Sequence, residues 1–319
     1  MKNKNKSINI STPGKLVLCG EHAVLNDKPA ISLAINQRIF VKITQIAGSD
    51  VFVKSKFGNL VLNYNNNSKI SNQHIPKWGL QISFLLSNIK HCGLKIEIKS
   101  KIQEYGFGSS GALFSCVCCG LLLLNNDNLS KQDLLKKTLE FYFKYHQNTD
   151  FKPSGLDIAT SILGGTVYYF PSQNIATKIQ NNWSQNFKLF AIYTGHKTQT
   201  IDAKKIVDKV VQKDDIFEDI ENIVINIYSL LQKDKFDEQN FFYLLNNNQR
   251  LLEKLNLDDL ETKDIIQQCR QQNVCAKISG SGLGDCIIAI CEKNKNFTIK
   301  NYKKVELNID TDGIKYEFK

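Results

Sequence analysis

The sequence predicts an α+β fold, with strands and helices segregated along the chain. Two observations carry this prediction. Short segments of β character crowd the N-terminal part of the chain and return near its end. Between them, after Thr200, the apolar spacing turns helical for four successive segments. A parallel α/β sheet would instead alternate strand and helix throughout.

Taken in order, Ile8 to Ser11 and Leu16 to Cys19 read as two strands, the second ending at Gly20. Ala30 to Ala34 and Ile39 to Ile46 read as two more. Val51-Phe52-Val53, Gly58-Asn59 and Leu60-Val61-Leu62 have the pattern of a hairpin. The polar run from Asn65 to Gln73 reads as a loop. Trp78 to His91 sets Leu80, Ile82, Leu85, Leu86 and Ile89 at helical spacing, and Leu94 to Ile98 alternates as a strand. After a glycine-rich turn, an apolar helix is expected from about Ala112 to Leu124. Ser130 caps a helix reaching about Tyr145, with Asp133 placed to complete a capping box. Val167 to Phe170 and Leu189 to Tyr193 are strand candidates. Helices are expected over Ile201 to Val211, Ile216 to Leu231, Asn240 to Leu255 and Asp258 to Gln271. Strands close the chain around Ala276 to Ser279, Cys286 to Cys291 and Lys304 to Leu307. The mostly polar stretch from Asn174 to Asn186 is the expected boundary between a domain over 1–180 and a second over 181–319.

At 319 residues, the chain is long enough for one large domain or two ordinary ones. Its 42% hydrophobic and 23% charged residues exclude a collagen-like or low-complexity chain. A net charge of +10 suits nucleic acid, acidic membranes or anionic small molecules. Lys204, Lys205, Lys209 and Lys213 lie along one helical region, but Asp202, Asp208, Asp214 and Asp215 interrupt them, which argues against nucleic acid. The longest apolar stretch, Phe114 to Leu124, is far shorter than the roughly 20 residues a membrane helix needs. The nine cysteines are odd in number and follow no apolar signal core, so a soluble protein of the reducing cytoplasm is expected. Cys116, Cys118 and Cys119 sit in an apolar run and read as buried thiols, not metal ligands.

Three glycine-bearing segments carry the chemistry. Gly106-Phe107-Gly108-Ser109-Ser110-Gly111-Ala112 follows a strand and opens an apolar helix. Glycines there let backbone N–H groups approach a ligand, and a helix start favours phosphate. The same residues could form only a capped turn. Ser279-Gly280-Ser281-Gly282-Leu283-Gly284-Asp285 joins two apolar runs and is either a second ligand loop or a flexible hairpin. Pro153-Ser154-Gly155-Leu156-Asp157 with Gly164-Gly165 places an Asp after a tight turn, as a helix cap or as the immobilised base that phosphoryl transfer needs.

With Pro13-Gly14-Lys15 and Gly20-Glu21-His22-Ala23-Val24-Leu25 ahead of them, these segments resemble the motifs of the GHMP kinases, in the same order, over roughly residues 11 to 290. The resemblance implies an N-terminal S5-like domain with a left-handed βαβ unit, a ferredoxin-like C-terminal domain, and a site between them. It implies that Gly106, Gly108, Ser109, Ser110, Gly111 and Ala112 wrap the phosphates of ATP, and that Ser110 ligates Mg²⁺, with Glu140 as the second ligand. Asp157 would orient or deprotonate the acceptor hydroxyl, and Lys15 would stabilise charge beside it. Lys15, His22, Thr200, Gly280, Ser281 and Gly282 would face the acceptor. Thr200 could equally cap the helix expected at Ile201. The chain departs from the family where a Glu is usual, about eleven residues before the catalytic Asp, because His146 stands there.

Within the family, the segment Gly20 to Leu25 with Lys28-Pro29-Ala30 resembles members that phosphorylate mevalonate. Gly284-Asp285-Cys286, Asp157-Ile158-Ala159 and Thr194-Gly195-His196-Lys197 resemble members that phosphorylate phosphomevalonate. The expected acceptor is mevalonate, with phosphomevalonate as the alternative. Either serves isoprenoid synthesis, and the resemblance is compatible with a homodimer.

Overall fold

The computed structural model describes residues 6–62, 75–103, 105–149, 152–180 and 183–319. The expected loop from Asn65 to Gln73 lies outside them. The elements are β1 (Ser7–Cys19), β2 (Ala30–Ile46), β3 (Val51–Ser55), β4 (Gly58–Leu62), α1 (Lys77–Asn88), β5 (Gly93–Ser100), α2 (Ser109–Asn125), α3 (Lys131–His146), α4 (Leu156–Leu163), β6 (Thr166–Phe170) and β7 (Ile175–Ile179). They continue as β8 (Phe187–Tyr193), α5 (Thr200–Val207), α6 (Lys213–Leu231), α7 (Glu238–Lys254), α8 (Leu260–Gln271), β9 (Cys275–Ser279), β10 (Cys286–Glu292), β11 (Lys303–Leu307) and β12 (Lys315–Phe318).

Eight strands form the first sheet, in the order β12-β1-β2-β5-β3-β4, with β6 on β2 and β7 on β6. The two strands expected at each of 8–19 and 30–46 are single long strands. Their pairing shifts register between Pro13 and Gly14. A proline cannot donate to the ladder, so a bulge there keeps the strand continuous. The bulge also positions the site. An added Cβ on Gly14 would lie 2.6 Å from the Phe107 carbonyl, and the Lys15 amide donates to that carbonyl at 2.9 Å.

The apolar helix α2 packs on β1 and β2 and begins at Ser109, earlier than expected. Cys116, Cys118 and Cys119 are free and buried within it, and burial pushes the Cys119 thiol up to about 12. They act as small hydrophobes. The capping box of α3 is present, with Ser130 and Asp133 exchanging hydrogen bonds.

Three elements were not anticipated. The segment α4 is a short apolar helix behind Asp157, too brief for a periodicity signal. Strand β7 lies inside the stretch read as a boundary, and its backbone pairs with β6. The four-residue β12 returns to pair with β1, so the end of the chain completes the N-terminal sheet. Arg38 fixes that return: its guanidinium donates to the Ser11 and Gly313 carbonyls at 2.9 and 2.6 Å and pairs with Asp310.

The second sheet has the order β11-β8-β10-β9 and is antiparallel. Counted within the sheet, this is fourth-first-third-second, the ferredoxin-like strand order. An irregular segment, 293–302, replaces a helix between β10 and β11. The four expected helices, α5 to α8, lie between β8 and β9. Among the described residues, no helix is long and apolar enough to cross a membrane.

The two sheets meet where β1 runs into Gly20 and Glu21, the first glycine turn. The Val17 amide donates to Ser279 Oγ at 2.9 Å, and Lys277 on β9 forms a wholly buried ion pair with Glu21. Removing one member of such a pair strands the other charge in the interior. Lys277→Met is expected to lower unfolding stability by about 3–5 kcal/mol. The double variant Glu21→Gln, Lys277→Met is expected to recover much of that loss. Chemical denaturation of both proteins checks this, and a Lys277→Met midpoint equal to wild type would refute it.

Candidate active site

The phosphate-type loop sits at the start of α2. Its N-cap, Gly108, adopts a left-handed conformation (φ 68°), and no side chain caps the helix. The first N–H groups of a 17-residue helix therefore remain available, at the positive end of its dipole.

Each of three glycines in this loop makes room for one charged side chain. A Cβ on Gly106 would fall 2.7 Å from Cγ of Asp285. On Gly108 it would fall 3.0 Å from the Lys15 side chain, and on Gly111 it would overlap the Asp157 carboxyl. Asp285, Lys15 and Asp157 are thus ranged in order around one loop. On another side, the Ser110 hydroxyl accepts a 2.8 Å hydrogen bond from Gln81 Nε2 of α1. Gln81 is 2% exposed, while Ser109 and Ser110 are open to solvent. Ala112 is buried and holds the helix start by accepting from Thr12 Oγ1 at 2.7 Å.

Asp157 occupies the first turn of α4, entered through Gly155 in a left-handed conformation (φ 86°). Both its carboxylate oxygens are engaged. Oδ1 accepts from the Ile158 amide at 3.0 Å, and Oδ2 accepts from the Tyr142 hydroxyl at 3.1 Å. Burial and the adjacent Asp157 charge hold the Tyr142 phenol well above its ordinary range, so it remains a donor.

His22 has φ 58°, a strained conformation for a residue with a Cβ. Its Nε2 donates to the Ser281 carbonyl at 2.8 Å, and its buried Nδ1 has no hydrogen-bond partner among the described residues. Burial pushes its pKa below the ordinary 6.5. The loop from Ser279 to Asp285, the third glycine loop in chain order after those at 106–111 and 153–157, is held further by Thr198, whose hydroxyl donates to the Leu283 carbonyl. Gly282 packs on Leu257, Gly284 on His196, and Gly280 has open space around it.

The structure therefore gathers Lys15, Gly106, Gly108, Ser110, Gly111 and Asp157, and joins His22 to the loop of Gly280, Ser281 and Gly282. Two expected residues stand apart. Glu140 is exposed on α3, two positions from Tyr142, and so faces away from the side that meets Asp157. It is not placed to complete a metal site with Ser110. Thr200 is exposed in the first turn of α5, where Gln199 is the N-cap and no side chain caps the helix. Neither the capping nor the acceptor role expected of Thr200 is supported, and Thr198 makes the loop contact instead. His146 packs edge-on against Tyr142, with ring centroids 4.9 Å apart.

Sequence reading also missed Gln81 and Tyr142, which lie on helices remote in sequence and carry no motif. A further basic pocket abuts the loop, lined by Lys56, Lys101, Gln103, Tyr105 and Lys303. Tyr105, on the wall of this pocket, stacks on Tyr193 with ring centroids 4.6 Å apart.

Comparison with known proteins agrees with this geometry. Residues 77–165 match the family model of the GHMP kinases N terminal domain, and residues 235–302 match that of the GHMP kinases C terminal. A relative named mevalonate kinase from Archaeoglobus fulgidus is 27% identical over 293 residues, covering 89% of this chain and 93% of the relative. The crystal structure of the Methanococcus jannaschii mevalonate kinase superposes with a TM-score of 0.76 at 23% identity, over 97% of this chain and 99% of that one. A Streptococcus pneumoniae phosphomevalonate kinase structure reaches 0.73 at 16% identity, over 93% and 99%. At these identities the structural matches establish the fold alone.

The buried His22 yields a pH dependence. The unfolded chain takes up a proton near pH 6.5, whereas the folded chain does so only lower. Between those values protons favour the unfolded state, so stability falls as pH drops below about 6.5. Melting temperatures of wild type and His22→Gln at pH 7.5 and 5.5 test this. Wild type is expected to lose more than the variant. Equal losses would mean that His22 does not titrate differently in the two states.

Proposed function

The chain belongs to the GHMP kinase family, and from that premise we propose that it is a mevalonate kinase, transferring the γ-phosphoryl group of ATP to the 5-hydroxyl of (R)-mevalonate. The product, 5-phosphomevalonate, is an isoprenoid precursor. One observation carries the reading: Lys15 and Asp157 are set against the same uncapped, glycine-lined helix start. The relatives named mevalonate kinase supply the acceptor. Nine unpaired thiols suit a reducing compartment, taken here as the cytoplasm.

The residues fit the nucleotide. Free N–H groups at Ser109 and beyond would receive the phosphate oxygens, and the cradle exists because glycines replace side chains that would fill it. The basic pocket beside Tyr105 would take the nucleoside end. Ser110 offers an oxygen for Mg²⁺, which when bound supplies charge neutralisation on the phosphates.

Asp157, fixed by Tyr142 and the Ile158 amide, would hold the acceptor hydroxyl and take its proton. The bond from that oxygen to the γ-phosphorus forms as the bond to the leaving ADP breaks. Lys15 would stabilise the charge on the transferring oxygens, a contribution on the order of 3 kcal/mol for such contacts. His22, just after β1, and the loop between β9 and β10 of the second sheet would bound the acceptor.

An assay of ADP release with ATP, Mg²⁺ and either (R)-mevalonate or (R)-5-phosphomevalonate tests the acceptor. Turnover is expected with mevalonate, and turnover with phosphomevalonate alone would overturn the assignment. Asp157→Asn is expected to lower kcat by about 10²–10⁴-fold while ATP still binds. Near-normal kcat would remove Asp157 from the chemistry. Gly111→Ala tests its placement, because the new methyl would displace the Asp157 carboxyl. A fall in kcat of at least about tenfold with unchanged ATP affinity is expected from that small displacement, and an unaffected kcat would contradict it.

A further inference from the structure

We propose that the solvent face of the sheet formed by β2, β5, β3 and β4 docks on a membrane surface rich in anionic headgroups. The proposal is independent of the kinase reading. Along these strands side chains alternate between the core and solvent. Val41, Ile43, Val53, Leu60 and Ile96 point inward and are buried. The residues between them stand on the other face, in cross-strand rows set by the register. Lys42 is opposite Glu97, and Glu97 opposite Lys54. In the row on one side Lys95 is opposite Phe52, and Phe52 opposite Val61. In the row on the other side Lys99 is opposite Phe40. Lys42, Lys54, Lys95 and Lys99 thus surround one carboxylate, that of Glu97. Lys95 pairs with it at 3.3 Å, and the other three have no ion-pair partner among the described residues.

Neighbouring strands lie about 4.8 Å apart. Four lysines so placed repel one another more than one glutamate offsets, and an anionic surface relieves that repulsion. The cations of this face are all lysine. Arginine would offer a fork that grips one phosphate bidentately, whereas lysines suit attraction to a broad anionic surface. Apolar groups stand at the same edge. Phe52 is 43% exposed and Val61 56%, and Phe57, in the turn between β3 and β4, is 59% exposed. Side chains of this kind enter the headgroup layer once cations bring the face to it. Single-stranded nucleic acid also seeks basic side chains among aromatics, but it needs free ring faces for its bases. Lys101 lies over the Phe40 ring and Lys56 over the Phe57 ring, 5.5 and 4.6 Å from the centroids. The lipid surface therefore fits better. No single run of sequence marks this face, because its lysines come from three strands that only the register brings together.

Co-sedimentation of the full chain with sucrose-loaded vesicles tests this. The vesicles are phosphatidylcholine alone or with about one-third phosphatidylserine. Wild type is expected to bind the anionic vesicles at least about tenfold better, and salt at about 0.5 M is expected to abolish the difference. Lys42→Glu with Lys54→Glu is expected to lower that binding at least about tenfold. Lys136→Glu with Lys137→Glu, an equal charge change at exposed positions of α3, is expected to bind as wild type. Equal affinity for both vesicles or an unaffected face variant would overturn the proposal. So would equal losses in the two variants, because net charge alone would then explain the binding. If the face variant does not fold, Phe52→Trp decides. Its emission, after subtraction of the wild-type signal of Trp78 and Trp183, is expected to shift to the blue with anionic vesicles, and an unmoved spectrum refutes docking by this face. Retention of single-stranded RNA without vesicle binding would give the face to nucleic acid and refute the proposal as well.

Discussion

The buried pair of Glu21 and Lys277 is the constraint on which the site depends. It joins the first glycine turn, on the N-terminal sheet, to β9, which leads into the third glycine loop. Charges removed from water at both ends leave little freedom for the two sheets to slide, because a small separation would strand them unpaired. The bond from Val17 to Ser279 and that from His22 to Ser281 extend the junction by one strand residue and one loop residue. Burial pushes the Glu21 pKa up, and the Lys277 ammonium beside it opposes that shift.

Around that junction, the absence of side chains does as much as their presence. Gly106, Gly108 and Gly111 each leave a gap that a charged group from elsewhere in the chain enters. The three come from β1, from the first turn of α4 and from the end of the third loop. A methyl at Gly106 or Gly111 would displace the carboxylate beside it, and one at Gly108 would crowd the Lys15 side chain. The register shift at Pro13 and Gly14 belongs to the same design, since it brings the Lys15 amide onto the Phe107 carbonyl.

The electrostatics around α2 follow from the same placement. Its uncapped start faces anions, Lys15 adds positive charge, and two carboxylates lie at the ends of the loop. Asp157 has its orientation fixed by Tyr142, whose phenol cannot ionise beside it. Asp285 keeps one oxygen without a hydrogen-bond partner among the described residues.

Local chemistry was legible in the sequence. Apolar spacing, the capping box at Ser130 and Asp133, and the glycine segments in order indicated most elements and the glycine-lined helix start, and marked Lys15, Ser110, His22 and Asp157 as candidates. These signals reside within a few residues of one another, where propensity and capping act. Only the tertiary structure decided what enters each glycine gap, because those partners are far apart in sequence. It placed Glu140 and Thr200 outside the site, although their spacing had allowed both inside. It found Gln81 and Tyr142, single polar groups on helices whose spacing reports only which face is buried. It also returned β12 to the first sheet through a four-residue edge strand, whose stability comes from pairing with β1 and the Arg38 contacts and not from its own pattern.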